Sequence, residues 1–179
     1  VRLTALRTGE VDLIDNMAYA DAAEFPKKYG NQFQTWDVPS LGTSFITFNT
    51  EKGPFADKRL RQAAAHATDH DAIKQAVFYA RGDSATGFFG PASPWYAKGS
   101  RPWPEYDPEK AKFLIKQAKA EGAEVILMAN DSFPYMQQTG ELLQAMWTEV
   151  GLKVKFDIYS QAVLLQKARE GDFHANSEA

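Results

Sequence analysis

The chain has 179 residues, roughly the length of one domain with room for an appended piece, and its 44% hydrophobic and 24% charged content is that of a globular protein. Twenty Lys and Arg against 23 Asp and Glu leave a net charge of −3, which gives no electrostatic reason to expect a nucleic-acid backbone or an anionic membrane as partner. No apolar run reaches the ~18–20 residues that span a bilayer as a helix, and the absence of cysteine excludes disulfides, thiol nucleophiles and Cys-ligated metal sites.

Residues 1–8 read as the inside of a helix, with Leu3 and Leu6 on one face and Gly9 as its stop. A chain that opens within a helix pattern and without methionine is read as a piece of a longer protein. A short strand is expected over 11–14, then a weak helix over 19–29 that carries Phe25 and Tyr29 and is interrupted by Pro26. Residues 32–38 read as a strand bounded by Pro39, and 44–49 as another, alternating Phe45 and Thr47 against Ile46 and Phe48. Turn chemistry at Gly53-Pro54-Phe55 precedes a strongly helical Lys58–Ala67. Asp69 then caps a second helix over 71–79, with Ile73, Ala76 and Val77 on one face.

Residues 81–106 show no sustained period and hold the aromatics Phe88, Phe89, Trp95, Tyr96, Trp103 and Tyr106 among prolines and glycines. A loop of this length in a domain usually serves function or packs on another body. Asp107-Pro108-Glu109 is a helix start, with a cap, proline at the first helical position and an acid facing the dipole. That helix should run to about Ala120 and stop at Gly122. The last third reads as strand 124–129, helix 134–150 and strand 152–159, the helix offering Leu142, Leu143, Met146, Trp147 and Val150 for burial. A strand–helix–strand unit places its strands parallel with a right-handed crossover. A helix over 161–170 stops at Gly171, and no closing element is expected after it. The fold class is therefore α/β, an open mixed sheet built around this parallel unit.

The motifs of common chemistries are missing: no dinucleotide glycine triplet, no phosphate loop ending in Gly-Lys-Ser or Gly-Lys-Thr, no nucleophile elbow. His66 and His70 at i and i+4 could hold a metal on one continuous helix, but Asp69 breaks the helix between them and no third ligand is evident. Arg59 and Arg61 could bind an anion; with Asp57, Asp69 and Asp71 nearby they read better as an ion-pair network. Asn130-Asp131-Ser132 carries a more specific argument. These residues follow the C-terminal end of a parallel strand and precede a helix N-terminus, which is where open α/β sheets bind ligands.

Four blocks occur in a recognisable order: ALRTGEVDLID at 5–15, FNTEKGPFADKRLRQAAAHATDHDAIKQAV at 48–77, YDPEKAKFLIKQAKAEG at 106–122 and LLQAMWTEVGLKVKFDIYSQAVLLQKAREGDF at 142–173. Together they resemble the extracellular solute-binding proteins of the peptide, nickel and opine class, the binding components of ABC importers, over about residues 3–174. The chain departs from the family phrase at His70, where an arginine is usual, and at His174, where an acid is more common. The resemblance implies a lobe of a two-lobed periplasmic binding protein that closes on its ligand by hinge motion. Residues 1–39 would finish the first lobe and cross the hinge, and 40–179 would form the second, ligand-binding lobe. The acidic motif that anchors a peptide's amino terminus would lie beyond Ala179.

The expected activity is capture of a peptide or similar small solute for delivery to a membrane permease, by a monomer in the periplasm, or outside the cell and membrane-anchored through a part not in this chain, without catalysis, cofactor, metal or nucleic acid. The expected ligand-binding residues are Ser40, Leu41, Gly42, Thr43 and Ser44 at the hinge, Trp95 in the long loop, and Asn130, Asp131, Phe133 and Tyr135 at the strand–helix switch. The competing reading is an α/β enzyme domain using Asp131 or the His66/His70 pair. A third, an interaction module, would use loop 81–106.

Overall fold

The computed structural model describes residues 2–38, 43–83, 87–90, 93–97 and 104–178. Its helices are α1 (Arg2–Thr8), α2 (Tyr19–Tyr29), α3 (Lys58–Ala67), α4 (His70–Phe78), α5 (Pro108–Gln117), α6 (Pro134–Glu149) and α7 (Gln161–Glu170), and its strands are β1 (Phe45–Phe48), β2 (Glu124–Asn130), β3 (Lys153–Tyr159) and β4 (Ala175–Glu178). One sheet runs in the order β1-β4-β2-β3. β2 and β3 are parallel, with Leu127 opposite Phe156 and Asn130 opposite Tyr159; β4 is parallel to β2 and antiparallel to β1.

The winding follows from handedness. The chain leaves β2 through α6 to β3 on one side, then returns through α7 to β4 on the other side of β2. Right-handed crossovers in opposite directions put their helices on opposite faces of a sheet. Strand alternation agrees: Phe156 lies against Gly140 of α6, whereas Tyr159, three residues on, stacks under Lys167 of α7.

The main core lies on the α6 face. Ala63, Ala64 and Ala67 of α3 are buried together with Ala111 of α5, small side chains that let the two helices approach closely. Trp147 of α6 is 1% exposed. Its indole N–H donates to Thr68 Oγ1 at 3.1 Å, and its ring packs against Phe48 and Phe55 at 6.1 and 5.6 Å between centroids. The helix starts are held by carboxylates. Asp57, Asp69 and Asp107 accept the backbone N–H groups of Arg59, Ala72 and Lys110 at the heads of α3, α4 and α5. Gly171 ends α7 at a φ of +66°, a conformation in which glycine carries no Cβ penalty.

Several expectations are corrected. Residues 11–14 and 32–38 form no strand; they are irregular, with Leu13 72% and Val38 81% exposed. A strand needs a ladder partner for its backbone groups, and among the described residues nothing pairs with either segment. A closing element does follow Gly171: β4 is inserted between β1 and β2, near the middle of the sheet. Its Ala-Asn-Ser-Glu sequence has no β-branched or aromatic residue, so neither period nor propensity announces it, yet Asn176 and Ser177 are buried. Leu142 and Met146 are only half-buried, whereas Leu143 and Trp147 are fully buried. α5 ends at Gln117 rather than near Ala120, because Lys119 turns to a φ of +54°.

Candidate functional site

The sheet register assembles one edge. β2 ends at Asn130, β3 ends beside it at Tyr159, and β4 ends at Glu178 opposite Phe45, the first residue of β1. Thr43 and Ser44, which lead into β1, therefore lie at the same edge as Asn130, Asp131 and Tyr159. Ser40, Leu41 and Gly42 lie outside the described residues.

Asn130 organises this edge. It is 3% exposed; its Oδ1 accepts the Ser132 N–H at 2.6 Å, and its Nδ2 donates to Gln161 Oε1. One buried amide thus ties the head of α6 to the head of α7. The Asp131 N–H donates to the Tyr159 carbonyl at 2.9 Å, extending the parallel ladder by one rung. The Asp131 carbonyl accepts from Gln137 at 3.0 Å, and its carboxylate accepts from the Ser132 hydroxyl at 3.2 Å.

Aromatic faces complete the surface. Phe133 is 46% exposed just before α6, and its ring is 5.7 Å from that of Tyr135. Tyr135 in turn lies 5.8 Å from Tyr19 and 5.9 Å from Phe78, which are 5.0 Å from each other. Burial and the neighbouring Tyr19 hold the Tyr135 hydroxyl above the usual phenol range, so it stays protonated as a donor at neutral pH. Tyr19 and Phe78 carry no sequence signal for this role: one heads a weak helix and the other ends α4, and only the packing of α2 and α4 beside α6 joins them. At the other end of the edge Phe45 meets Phe88 at 5.4 Å, and Phe88 meets Phe89 at 5.5 Å. Trp95 is not brought into either group. It is 76% exposed, with its backbone N–H on Ser93 Oγ.

The alternative chemistries have structural employment. α3 ends at Ala67 and α4 begins at His70, so the two histidines do not share a helix. His66 Nδ1 is 2.8 Å from the Glu105 carbonyl, and its own carbonyl accepts the Asp107 N–H, pinning the end of the long loop to α3. Arg59 grips Asp57 and the Gln117 carbonyl, and Arg61 reaches the carbonyls of Phe55 and Ala56. No group of three or more metal-ligating side chains occurs among the described residues. Thr43, Ser44, Asn130–Phe133, Tyr135 and Tyr159–Gln161 supply hydroxyls, amides, one carboxylate and aromatic faces, the Tyr159 ring lying under the Lys167 ammonium. That inventory suits binding of a polar organic ligand.

Polar groups and rings gathered beyond the ends of parallel strands occupy the place where open α/β sheets bind ligands. The chain belongs to the bacterial extracellular solute-binding proteins, family 5, whose middle region it matches over residues 1–178. It is 30% identical over 177 residues to the dipeptide-binding protein of Escherichia coli, covering 96% of this chain and 32% of that protein. It is 34% identical over 179 residues to heme-binding protein A of Haemophilus influenzae, covering 97% and 32%. The structure of HbpA2 from Haemophilus parasuis superposes with a TM-score of 0.80 at 32% identity, over 99% of this chain and 35% of that one. The chain thus spans about a third of the length of these relatives.

Proposed function

We propose that this chain is part of the substrate-binding component of an ABC importer, a periplasmic, monomeric protein that holds a peptide or similar small solute and presents it to a membrane permease. The observation that carries the reading is the strand-end edge itself: Asn130 locks two helix heads together, and Asp131, Phe133 and Tyr135 stand beside it. The family supports the reading, as do relatives whose names record binding of dipeptides and of heme. Among the described residues no helix is long and apolar enough to cross a membrane.

Residues 1–39 we assign to the end of a first lobe and 40–179 to the second. The support is physical. Segments 11–14 and 32–38 have strand composition but no ladder partner among the described residues, and they expose Val11, Leu13, Trp36 and Val38; strands of another lobe would satisfy both needs. The second wall of the ligand cleft would come from that lobe too, so the edge described above contributes only part of the contacts.

Titration calorimetry with a panel of dipeptides and with heme tests the reading. Saturable binding without turnover, weakened about tenfold or more by Tyr135→Ala or Phe133→Ala, is the expected result; that factor corresponds to about 1.4 kcal/mol, the scale of one lost stacking contact. Binding unaffected by both substitutions, or hydrolysis of the peptides, would overturn it.

A further inference from the structure

We propose that His174 is an acid-sensitive clasp that keeps β4 between β1 and β2, closed while its imidazole is neutral and opened by protonation. The position lies at the end of the sheet opposite the candidate site, and nothing in the ligand-binding reading uses it.

The geometry makes one residue serve both neighbouring strands. The His174 N–H donates to the Ile126 carbonyl at 3.1 Å, one rung before the Leu127–Ala175 pair of β2 and β4. The His174 carbonyl accepts the Asn49 N–H at 3.0 Å, at the end of β1. The Ile126 N–H, which an ordinary rung would give to a carbonyl, donates instead to His174 Nδ1 at 3.0 Å. A ring nitrogen that accepts carries no proton, so the neutral ring holds its proton on Nε2. Protonation would set an Nδ1–H against the Ile126 N–H, donor against donor.

Gly53 closes one side of the ring: a Cβ there would come within 2.5 Å of Cδ2 and 2.7 Å of Nε2. The surrounding corner is fastened: the Asn49 side chain donates to the carbonyls of Gly171 and Phe173 and accepts the N–H groups of Glu51 and Lys52. Among the described residues the charged groups near the ring are these. Asp172 on its own loop is paired with Lys167 of α7 at 2.5 Å, and Lys52, beside Glu51, reaches the Glu170 carbonyl from the loop after β1; β2 contributes the Glu124 backbone. Burial holds the His174 imidazole below its ordinary range, although the Glu124 backbone and Asp172 pull the other way.

The sign follows from that direction. The unfolded chain takes up a proton near the ordinary histidine value of about 6.5, and the folded chain resists it. Below about pH 6.5 the unfolded state therefore binds more protons, and stability falls as pH falls until the folded ring titrates too. His70 is also held low by burial and would act in the same window, so it needs its own control.

Amide hydrogen exchange and urea unfolding at pH 7.5 and 5.5 test the clasp on the whole chain. After correction for intrinsic exchange, the Ile126 N–H of the wild type should lose up to about tenfold protection at pH 5.5, the limit for one proton taken up over one pH unit. The urea midpoint should fall in parallel. In His174→Gln the side-chain oxygen accepts at both pH values, and the fall should be at most half as large; His70→Gln should retain most of it. Unchanged Ile126 protection in the wild type would overturn the proposal, as would a His174→Gln midpoint that falls as far as that of the wild type.

Discussion

Gly140→Ala sets two effects of opposite sign against each other. Gly140 lies in the middle of α6 and is buried, so alanine there would gain about 1 kcal/mol of helix propensity. Its Cβ, however, would fall well inside van der Waals contact of Cε2 and Cζ of Phe156 on β3. Phe156 is half-buried against the main core, so its ring must shift to admit the new methyl; overpacking of this kind costs about 1–3 kcal/mol. The net expectation is a loss of about 1 kcal/mol, or about 2–4 °C in Tm for a chain of this size. Urea unfolding followed by tryptophan fluorescence measures it. The decisive test is the double variant. In a Phe156→Ala background the obstruction is gone, and Gly140→Ala should become stabilising by about 1 kcal/mol, a coupling of about 1–3 kcal/mol across the cycle. A stabilising Gly140→Ala in the wild-type background would refute the close α6–β3 approach.

Two further substitutions probe the core and the corner. Trp147→Phe removes the indole N–H that Thr68 accepts and leaves a void beside Phe48 and Phe55, so a loss of about 2–3 kcal/mol is expected in urea unfolding, and a change below about 0.5 kcal/mol would contradict its burial. Asn49→Ala strands the carbonyls of Gly171 and Phe173 and the amides of Glu51 and Lys52. About 2 kcal/mol should be lost, with faster amide exchange confined first to 49–53 and 170–176; uniform acceleration over α3 and α5 instead would contradict a local fastening.

The elements legible in the sequence are those whose cause is local. α3 and α4 appear where Asp57 and Asp69 supply caps, and α5 starts at the Asp107-Pro108 pair, because a cap acts over three residues and needs nothing distant. The β2–α6–β3 unit is legible because its period changes from two to 3.6 and back, and handedness does the rest. Of the candidate site, the location of Asn130, Asp131, Phe133 and Tyr135 at the strand–helix switch follows from position alone, since the end of a parallel strand and the head of the next helix are adjacent in the chain.

What only the tertiary structure decided has its partner far away in sequence. Tyr19 and Phe78 join Tyr135 across more than fifty residues, with no pattern to link them. The strand composition of 11–14 and 32–38 produces no strand, because a ladder requires a second backbone and none within the described residues is supplied. β4 is the converse: four residues without strand propensity become an interior strand because β1 and β2 each present a row of unsatisfied backbone groups to them. Helices and caps are closed within a few residues, so sequence alone determined them; strands and surfaces are completed by other parts of the chain, and only folding decides which parts those are.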